Sequence, residues 1–277
     1  MPFLHCPPEQ AGAGKIGGKK VQNCRGNGIT LGPTEQLEDL QRCNLKIIQS
    51  SDTFRFGIDS VLLADFAPVR KGDKVLDLGT GNGVIPLLLA GKREPGLIHG
   101  LEIQPRLVDM ARRSVALNGL TDLITIIEGD FCSPPEALVP GSYDLVVSNP
   151  PYLAAGGRLN LRLEVAIARH ELKCTLADVL RTGARMLRHR GRLALIYRSG
   201  RLVDLLTAMR AEDLEPKTLR FVQPSSDQGP TMVLVLGVKG ARPHLNILPP
   251  LVIYDREGNY SREIMDIYNE KGSGEEG

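Results

Sequence analysis

A chain of 277 residues is long enough to bury a full core as one large domain, or one domain with a small appendage. Its 42% hydrophobic and 24% charged content is ordinary for a soluble globular protein, and a net charge of +2 means that a polyanion must be met by a local patch. Cys6, Cys24, Cys43, Cys132 and Cys174 are scattered without a C-x-x-C pair, which argues against a structural metal and a disulfide framework and for a reducing cytoplasm. No apolar run, Val84 to Ala90 included, approaches membrane-spanning length, and the N-terminus lacks the core of a signal peptide.

Residues 1–36 are rich in Gly, Pro, Asn and Lys and carry no hydrophobic period, so they read as a flexible arm. Lys15, Lys19, Lys20 and Arg25 keep such an arm solvated or, alternatively, hold phosphates. Regular patterning begins at Leu45 with a strand to Gln49 and a turn at Ser50 to Asp52. A helix over Ile58 to Phe66 follows, with Asp59 or Ser60 as its N-cap.

Lys74 to Leu78 then reads as a strand running through Asp77 into a glycine-rich turn, Gly79, Gly81 and Gly83, with a helix from Val84. Such a turn brings main-chain N–H groups close to a ligand with no Cβ in the way. A dinucleotide fingerprint would place its last glycine where Val84 stands. The next strand, Leu97 to Glu102, ends in a carboxylate able to take both hydroxyls of a ribose. After a helix entered at Pro105 and stopped at Asn118-Gly119, the strand Ile124 to Glu128 leads to Asp130, an acceptor for an adenine amino group, with Phe131 beside the ring.

The strand Tyr143 to Ser148 ends abruptly on Asn149-Pro150-Pro151-Tyr152. In an open α/β sheet, side chains at a strand's carboxyl end face the ligand. The Asn149 side-chain carbonyl and the Pro150 main-chain carbonyl can each accept one N–H of a planar amine while Tyr152 stacks on the ring that carries it. Two acceptors on one NH₂ draw its lone pair out of conjugation, and no strong base is needed because the nitrogen becomes acidic once alkylated. A Pro-Pro turn with an aromatic that merely packs is the structural alternative.

Beyond Tyr152, Leu153 to Arg169 is long and polar, as a substrate lid would be. His170 reads as structural or substrate-contacting in preference to a base. Leu176 to Leu187 has helical period and Gly191 to Tyr197 is the next strand. Seven arginines fall between Arg181 and Arg201 with no acid among them, a solvated face or a set of phosphate contacts. Lys217 to Val222 and Thr231 to Val238 read as two more strands, and the tail from Pro249 ends in an acidic Gly-Ser-Glu stretch.

Asp77-Leu78-Gly79-Thr80-Gly81-Asn82-Gly83, Glu102, Gly129-Asp130-Phe131 and Asn149 to Tyr152, in this order, resemble a class I S-adenosylmethionine-dependent methyltransferase of the amino-methylating kind. Phe56 to Ala64 fits the F-x-x-D-[ST]-x-L-L-A pattern of bacterial tRNA(Val) adenine-N6 methyltransferases, and Arg169-His170-Glu171 and the tail are similar to that subfamily as well. The resemblance implies a doubly wound α/β fold with a seven-stranded, mostly parallel sheet whose last strand is antiparallel. It also implies a methyltransferase domain over 37–270 and a flexible tail over 271–277. It further implies S-adenosylmethionine as cofactor, with Asp77, Gly79, Gly81 and Gly83 on its amino-acid end, Glu102 on the ribose and Asp130 with Phe131 at the adenine. Asn149, Pro150 and Tyr152 would be catalytic, and the partner an RNA, most simply a tRNA near its anticodon, with no membrane and no metal. Rival readings keep the motif and change the acceptor, to a release-factor glutamine or a guanine amine of ribosomal RNA, or keep the fold without turnover.

Overall fold

The computed structural model describes residues 30–53, 56–92, 94–150 and 175–269. Among these, ten strands and six helices follow in the order β1 (Glu35–Asp39), β2 (Lys46–Ser50), α1 (Ile58–Phe66), β3 (Lys74–Leu78), α2 (Val84–Lys92), β4 (Leu97–Glu102), α3 (Pro105–Leu117), β5 (Ile124–Glu128), β6 (Tyr143–Ser148), α4 (Leu176–Met186), β7 (Leu187–Arg198), α5 (Leu202–Ala211), β8 (Leu214–Gln223), β9 (Met232–Lys239), β10 (Asn246–Val252) and α6 (Arg262–Asn269). None of these helices is long and apolar enough to cross a membrane.

Eight strands form one sheet in the order β10-β8-β9-β7-β6-β3-β4-β5. From β3 the chain winds outwards through β4 to β5, returns to lay β6 on the other side of β3, and continues to β7; all these pairings are parallel. The reversal of winding between β3 and β6 makes a crevice at their carboxyl ends. β9 inserts antiparallel between β7 and β8, so the seven-stranded plan with one antiparallel strand is present. An eighth strand extends it: β10 joins β8 in parallel, where the sequence suggested only a tail. Pro249 and Pro250 hide this strand from a pattern reading, yet they fit because β10 is at the sheet edge and its register shifts between Leu248 and Leu251.

Near-continuous apolar strands bury both faces of the sheet. Successive residues of β3 feed opposite cores: Val75 packs with Leu62, Leu88 and Val108 on the side of α1 to α3, whereas Leu76 and Leu78 pack with Val179, Leu180 and Leu205 on the side of α4 and α5. Each such side chain contributes about 1.5–3 kcal/mol by leaving water. Helix ends are set as the sequence indicates at α3, where Pro105 occupies the first turn and Gly119 has φ +67°. α4 begins with a capping box in which Thr175 and Asp178 exchange hydrogen bonds. At α1 the expectation of an Asp59 or Ser60 cap is wrong: Gly57 is the N-cap, with no side-chain bond, and both residues lie inside the first turn.

The two-stranded β1–β2 ribbon is fastened to α3. Arg113 binds both carboxylate oxygens of Glu35, at 2.8 and 2.7 Å, and also Thr30 O. Asn118 exchanges hydrogen bonds with the Lys46 main chain, and Ser114 Oγ accepts from Ile48 N. Residues 30–36, assigned to the arm from composition, are therefore docked on the domain from Thr30 onward. Residues 1–29 of the arm and the tail from 270 lie outside the described residues.

Candidate active site

β3, β4 and β6 deliver three polar groups to the crevice. Asp77, one residue before the end of β3, is fully buried, and neither carboxylate oxygen has a hydrogen-bond partner among the described residues. Burial is the main reason that its pKa is pushed up to about 7; the Glu102 charge adds to this, and the Thr80 hydroxyl nearby eases it without reaching hydrogen-bonding geometry.

The turn after β3 is anchored by Gly79 N and Thr80 N on Leu101 O, at 2.9 and 3.0 Å. Gly79 and Gly81 adopt φ +75° and +58°, and a Cβ at either would meet nothing within 4 Å, so both backbones face open space. Gly83 differs. Its φ of +86° also needs glycine, but a Cβ there would sit 3.2 Å from Ala111 Cβ, so this residue lets the turn close against α3.

Glu102 is 6% exposed and held by three main-chain donors: Gly81 N on Oε2 at 2.9 Å, and Ile103 N and Gln104 N on Oε1, each at 3.0 Å. Desolvation raises its pKa against the pull of those N–H groups. Three of about four acceptor positions are used, and the remaining one is on Oε2, the oxygen nearer the glycine turn. Asp130 accepts Cys132 N at 2.8 Å, and Phe131 is fixed through its carbonyl, which accepts from Thr182 of α4 at 2.9 Å. Both sit past the end of β5, so the four ligand-type strand ends predicted from sequence share one edge of the sheet.

At the end of β6, Ser148 Oγ donates to Leu78 O at 2.9 Å and joins the exits of β6 and β3. Asn149 follows, its Nδ2 donating to Ser60 Oγ at 3.1 Å. That bond holds the amide's nitrogen against α1 at the exit of β6. Pro150 is buried behind it. Tyr152, Pro151 and His170, together with the proposed lid, lie outside the described residues. Ser60, which sequence reasoning assigned to a cap, instead accepts from the Asn149 amide. Asp59 beside it has a raised pKa through desolvation, partly offset by its own backbone N–H and by the Arg198 charge.

Much of the arginine run is paired within the fold, and Arg181, Arg188 and Arg201 are at the same time exposed, as the solvated-face reading expects. Arg181 pairs with Asp178 and Glu212, Arg188 with Asp144, Arg192 with Asp73 and Arg201 with Asp204, so four of the seven arginines are matched by carboxylates distant in sequence or on the next turn.

Residues 45–202 match the family described as methyltransferase small domain. A Porphyromonas gingivalis relative named tRNA1(Val) (adenine(37)-N6)-methyltransferase is 35% identical over 165 residues, covering 57% of this chain and 64% of that protein, less than two thirds of its length. An Aeromonas hydrophila protein of the same name is 30% identical over 227 residues, covering 80% of this chain and 88% of its own. A solved Agrobacterium tumefaciens structure, described as a predicted O-methyltransferase, superposes with a TM-score of 0.62 at 21% identity over 77% of this chain and 97% of that one, a likeness of fold. S-adenosylmethionine is the cofactor that goes with such a domain, and the residues present fit it. A buried carboxylate without a partner suits an ammonium, open-faced glycines suit a close ligand, and Glu102 retains an acceptor for a hydroxyl.

Proposed function

We propose, from the premise that this chain belongs to the methyltransferase small domain family, that it methylates the exocyclic N6 amine of adenosine in RNA, with tRNA(Val) beside the anticodon as the substrate. The observation that carries the acceptor side is the Asn149 amide, turned by Ser60 at the exit of the strand adjoining the glycine turn. The relatives' shared name supports the substrate.

When bound, S-adenosylmethionine supplies an electrophilic methyl group, whose bond to sulfur breaks as the bond to nitrogen forms. The chain's own part is placement. Asn149 Oδ1 and the Pro150 carbonyl accept the two N–H groups of the adenine amine, so the lone pair is directed out of the ring plane and the base cannot rotate. Tyr152 is proposed as the stacking face. The proton displaced from the alkylated amine leaves to water, and no buried base is required. A base reached in this way is turned out of its stack, which costs a few kcal/mol and least in a single-stranded loop. Asp77 holds the cofactor's ammonium, Glu102 one hydroxyl of its ribose through the remaining Oε2 acceptor, and Asp130 with Phe131 its adenine.

The test is transfer of labelled methyl groups from S-adenosylmethionine to tRNA from a strain lacking the protein, in parallel with release factor, followed by nucleoside mass spectrometry. N6-methyladenosine in tRNA, lost by about 10²–10³-fold on Asn149→Ala with cofactor affinity retained, is the expected result. Label on a release-factor glutamine and none in tRNA would replace the RNA reading with a protein one.

A further inference from the structure

The edge of the sheet opposite Asn149 carries a cleft of about 500 Å³ lined by His189, Arg190, Lys217, Arg242 and His244 around the turn at Gly240. No carboxylate lines it, and among the described residues none pairs with Arg190, Lys217 or Arg242. In a chain whose net charge is +2, three cations, Arg190, Lys217 and Arg242, around one opening are a concentrated local field.

The cleft is shaped by the backbone. β7 pairs Leu187 with Tyr143 and next Arg192 with Leu145, so Arg188 to Gly191 are extruded from the sheet. Within this bulge Arg190 has φ +64°, a left-handed conformation in which glycine would be unstrained and arginine is not. Gly240 on the facing turn has φ +65°, and a Cβ there would come within 2.6 Å of the His189 ring, so the two segments touch only because glycine is present. Lys217 from β8 closes the third side, its Nζ donating to Arg242 O at 3.2 Å.

We propose that this cleft is a second contact for the RNA, binding backbone phosphates of the helical stem while the target base is held at the other edge. This rests on the RNA reading above. β6 spans five residue steps between the two edges, about 17 Å at roughly 3.3 Å per residue. In an A-form RNA stem that distance is on the order of six base steps, so a stem descending beside the sheet from a loop at Asn149 reaches the cleft. Contacts of this kind carry no sequence information and set affinity and register.

The experiment compares wild type with Arg190→Gly/Lys217→Ala/Arg242→Ala, the glycine chosen because it accepts φ +64° without strain. Binding to tRNA is read by filter retention across a salt series, and methylation is read separately. The variant is expected to bind tRNA roughly tenfold more weakly at ~100 mM salt, with a salt slope shallower by about 2. Its KM for tRNA rises, while its kcat, cofactor affinity and melting temperature stay as in wild type. A single-stranded loop oligonucleotide, which cannot reach the cleft, should be handled equally by both proteins. Arg190→Lys/Lys217→Arg/Arg242→Lys should behave as wild type. If wild type methylates tRNA and the charge-removing variant binds it with the same affinity and slope, the cleft proposal falls and the function stands. If wild type binds tRNA without methylating it, and the variant has lost that binding, the function falls and the cleft stands. If wild type does not bind RNA, both fall.

Discussion

Asp73 and Asp77 are four residues apart at the two ends of β3, both buried, and the fold treats them oppositely. Asp73 accepts Arg192 Nη2 at 2.7 Å and Arg70 N at 2.6 Å, while Arg192 also donates to Pro68 O at 2.6 Å. Asp77, the more buried of the two, has no hydrogen bond from any described residue. At one edge of the sheet the fold balances the buried Asp73 internally, and at the other it leaves the buried Asp77 for a ligand to balance. The difference separates a carboxylate that serves stability from one that serves binding, although composition and burial alone would class them together.

The largest expected effect falls on the paired aspartate. Arg192→Met removes the partner and leaves Asp73 buried and uncompensated, which should cost about 3–5 kcal/mol in urea unfolding. Cofactor affinity of the folded fraction should remain unchanged, and a loss of affinity without a loss of stability would collapse the distinction between the two edges.

Asp77→Asn is expected to invert that pattern. Cofactor affinity by calorimetry should fall about 100-fold, near 2.7 kcal/mol, with no loss of stability in the ligand-free protein. The same carboxyl sets a pH dependence. Its folded pKa near 7 lies above the unfolded value of 3.8, so the folded chain keeps a proton that the unfolded chain has lost. Ligand-free stability should decline as pH rises from about 4 to 7, and cofactor affinity should weaken as pH falls below 7, where Asp77 turns neutral. The Asp77 contribution to both slopes should vanish in Asp77→Asn, leaving that of other shifted carboxyls such as Glu102 and Asp59.

A smaller effect sharpens the picture at the acceptor. Ser60→Ala frees the Asn149 amide to rotate and should lower kcat about tenfold, near 1.4 kcal/mol, with cofactor affinity and melting temperature little altered. An unchanged kcat would mean that the Asn149–Ser60 bond is packing and not positioning.

What the sequence disclosed divides along the same line. The placement of the glycine turn, Glu102, Asp130 and Asn149 at one sheet edge was legible because each follows or closes a strand, and a strand followed by a chemical group is a local pattern. Ser60 was misread because its partner is 89 residues away, and from its neighbours alone a serine at a helix start is a cap. The pairing of the arginine run was hidden for a related reason: Asp73, Asp144 and Glu212, which neutralise three of its members, arrive through the fold. Strand β10 escaped because two prolines ordinarily argue against a strand, and only its edge position lifts the objection.

That edge has a consequence for how copies of this chain meet. A sheet's last strand offers its outward N–H and C=O groups as a template on which another strand can be laid. In β10 the adjacent Pro249 and Pro250 carry no N–H, so with alternating N–H directions one donor is lost on each side of the strand, and the register shift between Leu248 and Leu251 breaks the regular spacing of the rest. Strand addition along this border is thereby disfavoured for the sheet that the described residues form, although both of its faces are apolar.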